Sequence, residues 1–277
     1  MVKGTRTLAG IIPVMFARYE IWLVILAVLF IALERIVPWR RDQRALRPQI
    51  GQDIFWFAFN GYILGALFGG AFMGIESVLS RGLSFVCDCV PEHLRLIGHL
   101  SLPLQILVAL IVADFLEWLV HNAFHRIDLL WRFHRVHHSI RQMDWIGNYR
   151  FHWLEILVYR IVKYLPLAVL GARWEAVLVV AVFATAIGNL NHANLNVSFG
   201  PLRYVLNSPR MHIWHHDAER PGPGVNFGIV LSVWDWIFRT ADMPKGPGGP
   251  AILGFRRMDE VPMSLFRRFF LPFVDSR

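Results

Sequence analysis

The stretch Trp131-Arg132-Phe133-His134-Arg135-Val136-His137-His138 carries three histidines in an H-x2-H-H arrangement. An H-x3-H pair precedes it and a second H-x2-H-H cluster follows it, which adds His121, His125, His212, His215 and His216. Positions i, i+3 and i+4 of an α-helix share one face, so each cluster is predicted to point its imidazoles in one direction. Eight converging imidazoles exceed the ligand number of one metal, about four to six, and therefore predict two metals.

Packing is the alternative explanation for each cluster taken alone. A single H-x3-H pair is more often packed or solvated than ligating, and one H-x2-H-H cluster is equally compatible with both. The three clusters together favour metal binding, because ionisable side chains beside a membrane are rarely retained without a role. His93 and His99 lie in a loop predicted on the opposite side of the membrane, and we expect both to be ordinary solvent-facing residues.

The composition predicts an integral membrane protein. The 277 residues are 55% hydrophobic and only 17% charged, whereas soluble domains are about 25% charged. A membrane-spanning helix needs about 20 apolar residues, and the apolar stretches of the chain are residues 21–37, 54–79, 104–124 and 154–187, the last long enough for two short helices. The predicted fold class is all-α and polytopic, with about four to five membrane helices or hairpins and a cytoplasmic helical cap that carries the histidine clusters.

The charge distribution predicts which side of the membrane the clusters face. The chain carries 28 lysines and arginines against 20 acidic residues, a formal charge of +8. Arginines crowd into residues 40–47 and 126–150, which the positive-inside rule places in the cytoplasm. That face could attract an acidic electron-donor protein or anionic lipid headgroups, whereas membrane placement argues against nucleic-acid binding. Cys87 and Cys89 are too few for a disulfide framework or zinc knuckle and are expected to be free thiols.

Further motifs accompany the three clusters. Asp114 stands seven residues before His121. The other motifs are Arg150-Phe151-His152-x-Leu154-Glu155, Asn191-His192-Ala193-Asn194, Asn226-Phe227-Gly228 and Trp234-Asp235. With these motifs, residues 104–240 resemble the fatty acid hydroxylase/sterol desaturase superfamily of membrane di-iron enzymes. The chain departs from the family pattern at Trp153, where proline is usual, and at Arg239, where glycine usually precedes Thr240.

The resemblance implies two irons per chain, bound by the eight clustered histidines and by His192 as a ninth ligand. A packed structural histidine is the alternative for His192. His152 is open between a metal ligand, a partner of a ligand and a structural partner of Glu155. The implied organisation is N-terminal membrane helices in residues 1–103, a catalytic domain in 104–240, and a cytoplasmic or interfacial tail in 241–277.

Carboxylates near the clusters are candidates for orienting the ligands, because a ligating histidine commonly donates its second N–H to a carboxylate or carbonyl. The candidates are Asp114, Glu117, Glu155, Asp217 and Asp235. Asp114 is favoured, since it lies nearly two helical turns before His121 on the same face. The alternatives are interhelical hydrogen bonding for Asp114 and an exposed position near the membrane interface for Glu117.

The resemblance implies O2-dependent and iron-dependent hydroxylation or desaturation of a C–H bond in a membrane lipid, sterol or fatty acyl substrate. The sequence holds no G-x-G-x-x-G motif and no haem signature, so electrons are expected from a separate ferredoxin or cytochrome b5-like protein with its reductase. The alternative function is a histidine-rich membrane metal transporter or metal sensor, which would need ionisable groups in mid-span. The expected location is a bacterial inner membrane, crossed several times, with the active site facing the cytoplasm.

Overall fold

The apolar runs that the structure describes fold into helices. The computed structural model describes residues 18–65, 67, 96–220, 222, 224–244, 246, 248–262 and 264–274, and no β-strand forms among them. In chain order, the α-helices of the described residues begin with α1 (Tyr19–Ile36), α2 (Ile50–Trp56), α3 (Leu102–Arg126), α4 (Asp128–His138), α5 (Trp153–Val169) and α6 (Trp174–His192). They continue with α7 (Pro209–His212), α8 (Val233–Ile237) and α9 (Leu265–Val274). The expectations for Cys87, Cys89 and His93, and for the second half of the stretch 54–79, lie outside the described residues.

Two of the described helices, α3 and α6, are long and apolar enough to cross a membrane. Only 28% and 33% of their apolar windows are buried inside the protein, so most of these side chains face outward. α1 occupies the first predicted span, and its Val28 is 63% exposed, but it also carries Glu20, Glu34 and Arg35. These outward apolar surfaces are consistent with a membrane protein, and the number of spans stays a prediction.

A turn at Ile127 packs α4 against the end of α3. Ile127 is extended, with φ −107° and ψ 114°, so it ends α3 and serves as the N-cap of α4. His121 and His125 share a face of α3, and His134 and His138 share a face of α4, because residues four apart lie one above the other on a helix. The turn brings these faces together, and the ring centroids of His125 and His138 are 4.7 Å apart.

Glu34 ties α1 to the histidine region. Its buried carboxylate Oε1 accepts hydrogen bonds from the backbone N–H of Trp145 at 2.9 Å and of Asn194 at 2.8 Å. Asn194 follows the last residue of α6, His192, by two positions. An acidic residue in an otherwise apolar helix therefore satisfies two buried backbone donors that would otherwise lose their hydration without replacement.

A buried network of charges joins the segment after α1 to the segment between α4 and α5. The Arg47 guanidinium donates to Asp53 Oδ2 at 2.6 Å and to Asp144 Oδ1 at 2.6 Å. The Arg150 guanidinium donates to both oxygens of Asp53, at 2.5 and 2.8 Å. Arg47 and Arg150 are 3% and 1% exposed. These two arginines therefore bind internal carboxylates and, contrary to the expectation from charge distribution, add nothing to an exposed basic face.

Replacing Asp53 with alanine is expected to destabilise the protein strongly. The change leaves the guanidinium of Arg150 without its carboxylate in a buried site and removes one of the two carboxylates of Arg47. Breaking a buried ion pair by removing one partner costs about 3–5 kcal/mol, so the thermal unfolding temperature of the detergent-solubilised protein should fall. The matched control is Asp259→Ala, because Asp259 pairs with Arg141 at 2.9 Å on the surface and is 94% exposed. Equal stability of the two variants would contradict a structural role for the network.

The two departures from the family pattern lie at positions with special backbone roles. Trp153 is the first residue of α5, after the N-cap His152, and proline suits this position because its missing N–H is unsatisfied there in any case. Trp153 instead stacks on Phe269 of α9, with ring centroids 6.2 Å apart. Arg239 has φ 59°, a left-handed conformation that glycine adopts without strain. Both substitutions are therefore accommodated outside the histidine clusters.

Candidate metal centre

Nine histidines lie in the interior in two groups. Within each group, one nitrogen from every histidine lies within 4.8 Å of those of the other members. The first group, called the five-histidine group, consists of His121, His125, His134, His138 and His215. The second, called the four-histidine group, consists of His137, His192, His212 and His216. The structure thus brings together every histidine of the three sequence clusters, and it adds the last residue of α6.

Each H-x2-H-H cluster divides between the two groups, contrary to the expectation that its three imidazoles point in one direction. His134 and His138 of α4 belong to the five-histidine group, whereas His137 belongs to the four-histidine group. Neighbouring residues of a helix point about 100° apart, so His137 and His138 face different sides. The second triplet divides in the complementary way, with only His215 in the five-histidine group. The two groups are therefore built from the same segments and cannot form independently.

Hydrogen bonds fix the tautomers of the five-histidine group. The Nδ1 of His121 donates to the backbone carbonyl of Phe227 at 2.7 Å, and the Nδ1 of His134 donates to Glu155 Oε1 at 2.5 Å. In a neutral imidazole, a proton on Nδ1 leaves a lone pair on Nε2. The two Nε2 atoms lie 3.1 Å apart, so two lone pairs face each other. Such an arrangement is repulsive unless a cation lies between the nitrogens.

In the four-histidine group, His192 also carries its proton on Nδ1 and its lone pair on Nε2. Its Nδ1 donates to the carbonyl of Gly188 at 2.9 Å, one turn back on α6, which again leaves the lone pair on Nε2. That Nε2 lies 3.2 Å from the Nε2 atoms of both His137 and His212. The second nitrogens of His137 and His212, and both nitrogens of His216, are buried without a hydrogen-bond partner.

Another unsatisfied nitrogen lies in the five-histidine group. The Nδ1 of His215 donates to the carbonyl of Val225 at 2.7 Å, and its Nε2 is buried without a partner. Buried polar atoms are nearly always satisfied in folded proteins. A metal ion is the partner that such lone pairs fit, because a ligating histidine typically holds its other N–H on a carbonyl or carboxylate.

Burial keeps these imidazoles neutral. Removal from water lowers the pKa of His134, His137 and His138 well below the ordinary histidine value, and neighbouring histidines lower it further. The same causes, with burial the largest, lower the pKa of His212, His215 and His216. Neutral imidazole is the form that binds a metal, so the fold holds these side chains ready for coordination at neutral pH.

The spacing of the nitrogens fits coordination. Two nitrogens about 2.1 Å from one metal, at right angles, lie roughly 3.0 Å from each other. The Nε2–Nε2 distances of 3.1 Å in one group and 3.2 Å in the other are close to that value. An all-imidazole donor set suits iron, copper, nickel and zinc. The residues present therefore fit two transition metals, and ligand type alone does not name the metal.

Of the five carboxylates proposed from the sequence, Glu155 of α5 contacts a clustered histidine, His134. Glu155 is 1% exposed, and its charge would not be tolerated there without a donor such as the imidazole N–H. The bond joins α5 to α4, so it sets both the tautomer and the orientation of His134. This is the geometry of an orienting carboxylate behind a metal ligand.

Asp114 contacts no clustered histidine, which corrects the expectation that it orients a ligand directly. Its carboxylate accepts from the backbone N–H groups of Val230 and Leu231 and from the indole Nε1 of Trp234, at 2.9, 3.1 and 2.9 Å. Asp235 holds the same loop by accepting from the N–H groups of Phe227 and Gly228. Both aspartates fix the loop whose Phe227 carbonyl receives the His121 proton, so they act on the centre through the backbone.

Glu117 and Asp217 also lie apart from the histidine hydrogen bonds. Glu117 Oε2 accepts from Lys163 Nζ at 2.6 Å, an ion pair between α3 and α5. The Asp217 side chain accepts from the backbone N–H of Glu219. The hydrogen bonds of these two carboxylates thus go to Lys163 and Glu219 and not to a grouped histidine.

His152 has a structural role. Its Nδ1 accepts from the N–H of Leu154 at 3.2 Å as the N-cap of α5, and its Nε2 donates to the carbonyl of Phe269 at 2.9 Å. Burial lowers the pKa of His152 to about 4, so the ring is neutral and both nitrogens are already used. Of the three alternatives for His152, the structure shows no hydrogen bond to Glu155; the structural partners of the ring are Leu154 and Phe269. His99 is exposed and belongs to neither group.

Sequence reasoning missed the backbone carbonyls that fix the histidines. The carbonyls of Gly188, Val225 and Phe227 each accept an imidazole proton. Gly188 had a local signal, because it precedes His192 by four residues on the same helix. The other two come from a loop that the sequence alone does not place. Lys163, the partner of Glu117, was also missed.

A partly open cavity of about 470 Å³ adjoins the centre. Its wall includes His121, His137 and His192, and therefore parts of both histidine groups. Apolar side chains of α6 line one side, among them Val177, Leu178 and Ala181. Charged residues of α3 and α5 also reach the cavity, namely Glu117, Arg160 and Lys163. A small organic group in this cavity would lie next to the histidine nitrogens.

Two groups of neutral, buried imidazoles beside a cavity define a helical protein with a candidate metal centre built from histidines. Residues 106–240, which contain all nine grouped histidines, match the model of the fatty acid hydroxylase family.

Characterised relatives share this region. An ornithine lipid hydroxylase of Rhizobium tropici is 28% identical over 222 residues, 79% of this chain and 65% of its own length. A human alkylglycerol monooxygenase is 30% identical over 132 residues, 48% of this chain and 29% of its own. A very-long-chain aldehyde decarbonylase of Arabidopsis thaliana is 25% identical over 140 residues, 47% of this chain and 22% of its own. The chain thus spans under two thirds of each relative's length. No solved structure is significantly similar to it.

Proposed function

We propose that the protein is an O2-dependent membrane lipid hydroxylase with two irons per chain. The observation that carries the proposal is the pair of histidine groups, of five and four residues, that share the wall of one cavity. Two ligand groups accommodate two metals, and zinc could not supply redox chemistry. The relatives named as hydroxylase and monooxygenase favour hydroxylation over desaturation.

The overall reaction balances with an external reductant. One C–H bond and dioxygen, with two electrons and two protons, give one C–OH group and water. Iron, when bound, supplies the redox chemistry that activates dioxygen. The chain carries no nicotinamide or flavin motif in its sequence, so a ferredoxin or a cytochrome b5-like protein with its reductase would deliver the electrons. Exposed arginines on the cytoplasmic side would attract such an acidic donor.

The residues of the chain hold and orient the reactants. Glu155 and the carbonyls of Gly188, Val225 and Phe227 keep imidazole lone pairs directed inward. The apolar wall formed by α6 would contact the lipid and orient it. Fixed orientation of this kind selects one unactivated C–H bond among many similar ones, because only a bond held at the reacting position is oxidised.

The proposed location is a membrane crossed several times by the chain, a bacterial inner membrane with the centre on the cytoplasmic side. Its support is the outward apolar surface of α3 and α6 together with the arginine distribution. The lipid would reach the cavity sideways from the bilayer, since α6 both lines the cavity and presents apolar residues outward.

Comparative lipidomics tests the proposed function. Cells with and without the gene are grown under oxygen, and the purified protein is then assayed with a reduced ferredoxin system and isotopically labelled dioxygen. We expect a lipid class that gains one labelled oxygen atom and depends on both oxygen and donor. Turnover with NADPH alone would contradict the requirement for a separate donor. Metal accumulation in cells without any lipid change would instead indicate a metal transporter.

A further inference from the structure

The Glu117–Lys163 ion pair lies inside the cavity rather than on the surface. The two side chains are 14% and 8% exposed, and their charged atoms are 2.6 Å apart. Both residues line the cavity that also touches His121, His137 and His192. Buried ion pairs contribute little net stability, because desolvation offsets their attraction. An ionisable pair among apolar helices is therefore more readily explained by a ligand than by stability.

The ion pair stands a short distance from the histidine groups. Glu117 precedes His121 by four residues on α3, a rise of about 6 Å along the helix. On α5, Glu155, Tyr159 and Lys163 follow one another at four-residue intervals, so they share a face of the helix. Glu155 binds His134 at one end of this row, Lys163 stands at the other end, and Tyr159 lines the cavity between them. A polar group held at the pair would lie a few bonds from the metals.

We propose, on the basis of the proposed function, that Glu117 and Lys163 bind the zwitterionic headgroup of the lipid substrate. The carboxylate of the headgroup would bind Lys163, and its ammonium group would bind Glu117. The ion pair between the two side chains would separate, and each of the two side chains would then face a headgroup charge of opposite sign. A headgroup with one charge would leave either Glu117 or Lys163, which are 14% and 8% exposed, without a partner of opposite charge, which is costly. The oxidised carbon would consequently lie near the headgroup and not far along an acyl chain.

The rest of the cavity suits the remainder of such a lipid. Apolar side chains of α6 continue from the charged region, and Trp174 at the start of that helix lines the same cavity. Trp174 is 59% exposed, and Val179 and Phe183 on the same helix are also exposed. The acyl chain would follow this apolar surface from the cavity to the bilayer, while the headgroup stays at the ion pair.

Three probe lipids with one palmitoyl chain test the inference. Nα-palmitoyl-lysine carries both charges, N-palmitoyl-norleucine only the carboxylate, and N-palmitoyl-cadaverine only the ammonium. Binding to the purified full-length protein in uncharged detergent is measured by equilibrium dialysis, which needs no turnover. We expect the wild-type protein to bind the zwitterionic probe about tenfold tighter than either other probe, a difference of about 1.4 kcal/mol.

Single-charge variants make the assignment specific. Glu117→Gln should lose the preference for the zwitterionic probe over the anionic one, and Lys163→Met should lose the preference over the cationic one. The exchanged variant Glu117→Lys/Lys163→Glu should keep the preference, which controls for loss of folding. Asp259→Asn, in an exposed ion pair with Arg141, should change nothing. Equal weakening of all three probes in both single variants, or no weakening, would overturn the inference.

The experiment separates this inference from the proposed function. Hydroxylase activity with no charge-dependent binding would contradict the headgroup site and leave the hydroxylase proposal intact. Charge-dependent binding in a protein that never oxidises a lipid would keep the site and remove the hydroxylase proposal.

Discussion

Replacing His138 with alanine is expected to abolish product formation and to lower bound iron. The Nε2 of His138 lies 3.1 Å from the Nε2 atoms of both His125 and His134, so it stands between two other nitrogens of the five-histidine group. Its loss removes one donor and leaves the others without a common centre. The loss of activity should exceed the roughly 10–100-fold cost of removing a group that only orients a ligand. Elemental analysis and turnover with labelled dioxygen measure both effects.

His212→Ala provides the comparison for the other group. Its Nε2 contacts His192 in the four-histidine group, so this variant should also lose iron and activity. His99→Ala is the control, because His99 is exposed and belongs to neither group. Full activity of either grouped variant would remove the basis for two metals. One iron per chain in fully active wild-type protein would do the same.

The number and identity of the clustered histidines could be predicted because their spacing is a local property of the chain. Their distribution between two groups could not. It depends on the angle at which α4 meets α3 after Ile127, and on the segment after α7 that sends His215 and His216 to opposite groups. These are tertiary features, and a four-residue interval describes only which side chains share a face of one helix.

The hydrogen-bond partners of the carboxylates also could not be predicted from spacing along the chain. Spacing correctly placed Asp114 on the His121 side of α3, but it could not show that the loop carrying Val230 and Leu231 would take both carboxylate oxygens. Burial required those backbone donors to find an acceptor, and the Asp114 carboxylate supplied it. Glu155, which was one candidate among five, has the direct histidine contact because α5 packs against α4.

The helices themselves followed the apolar runs closely. The expected span 104–124 became Leu102–Arg126, and the stretch 154–187 became two helices separated where the sequence has Gly171 and Arg173. Gly171 has φ 79°, a left-handed conformation suited to glycine after a helix. The region after α6 was harder to predict, because short helices and loops there are held by side-chain hydrogen bonds such as those of Asp235 and not by hydrophobic periodicity.

Replacing Glu155 with alanine is expected to weaken metal binding and activity by about 10–100-fold. The variant removes the acceptor of the His134 Nδ1 proton, and with it the bond that directs the His134 lone pair toward the nitrogens of His121 and His138. The imidazole could then rotate or adopt the other tautomer, which presents a proton where a metal requires a lone pair. Competition with a chelator, followed by elemental analysis, measures the affinity.

Two further variants distinguish orientation from a loss of folding. Glu155→Gln keeps a carbonyl oxygen in the same place, so His134 can still donate and the loss should be smaller than with alanine. Asp217→Asn changes a carboxylate next to His216 whose side chain accepts from the backbone N–H of Glu219, so metal affinity should stay at the wild-type level. If the glutamine and alanine variants lost metal equally, the negative charge of Glu155, and not the hydrogen bond to His134, would be what holds the centre.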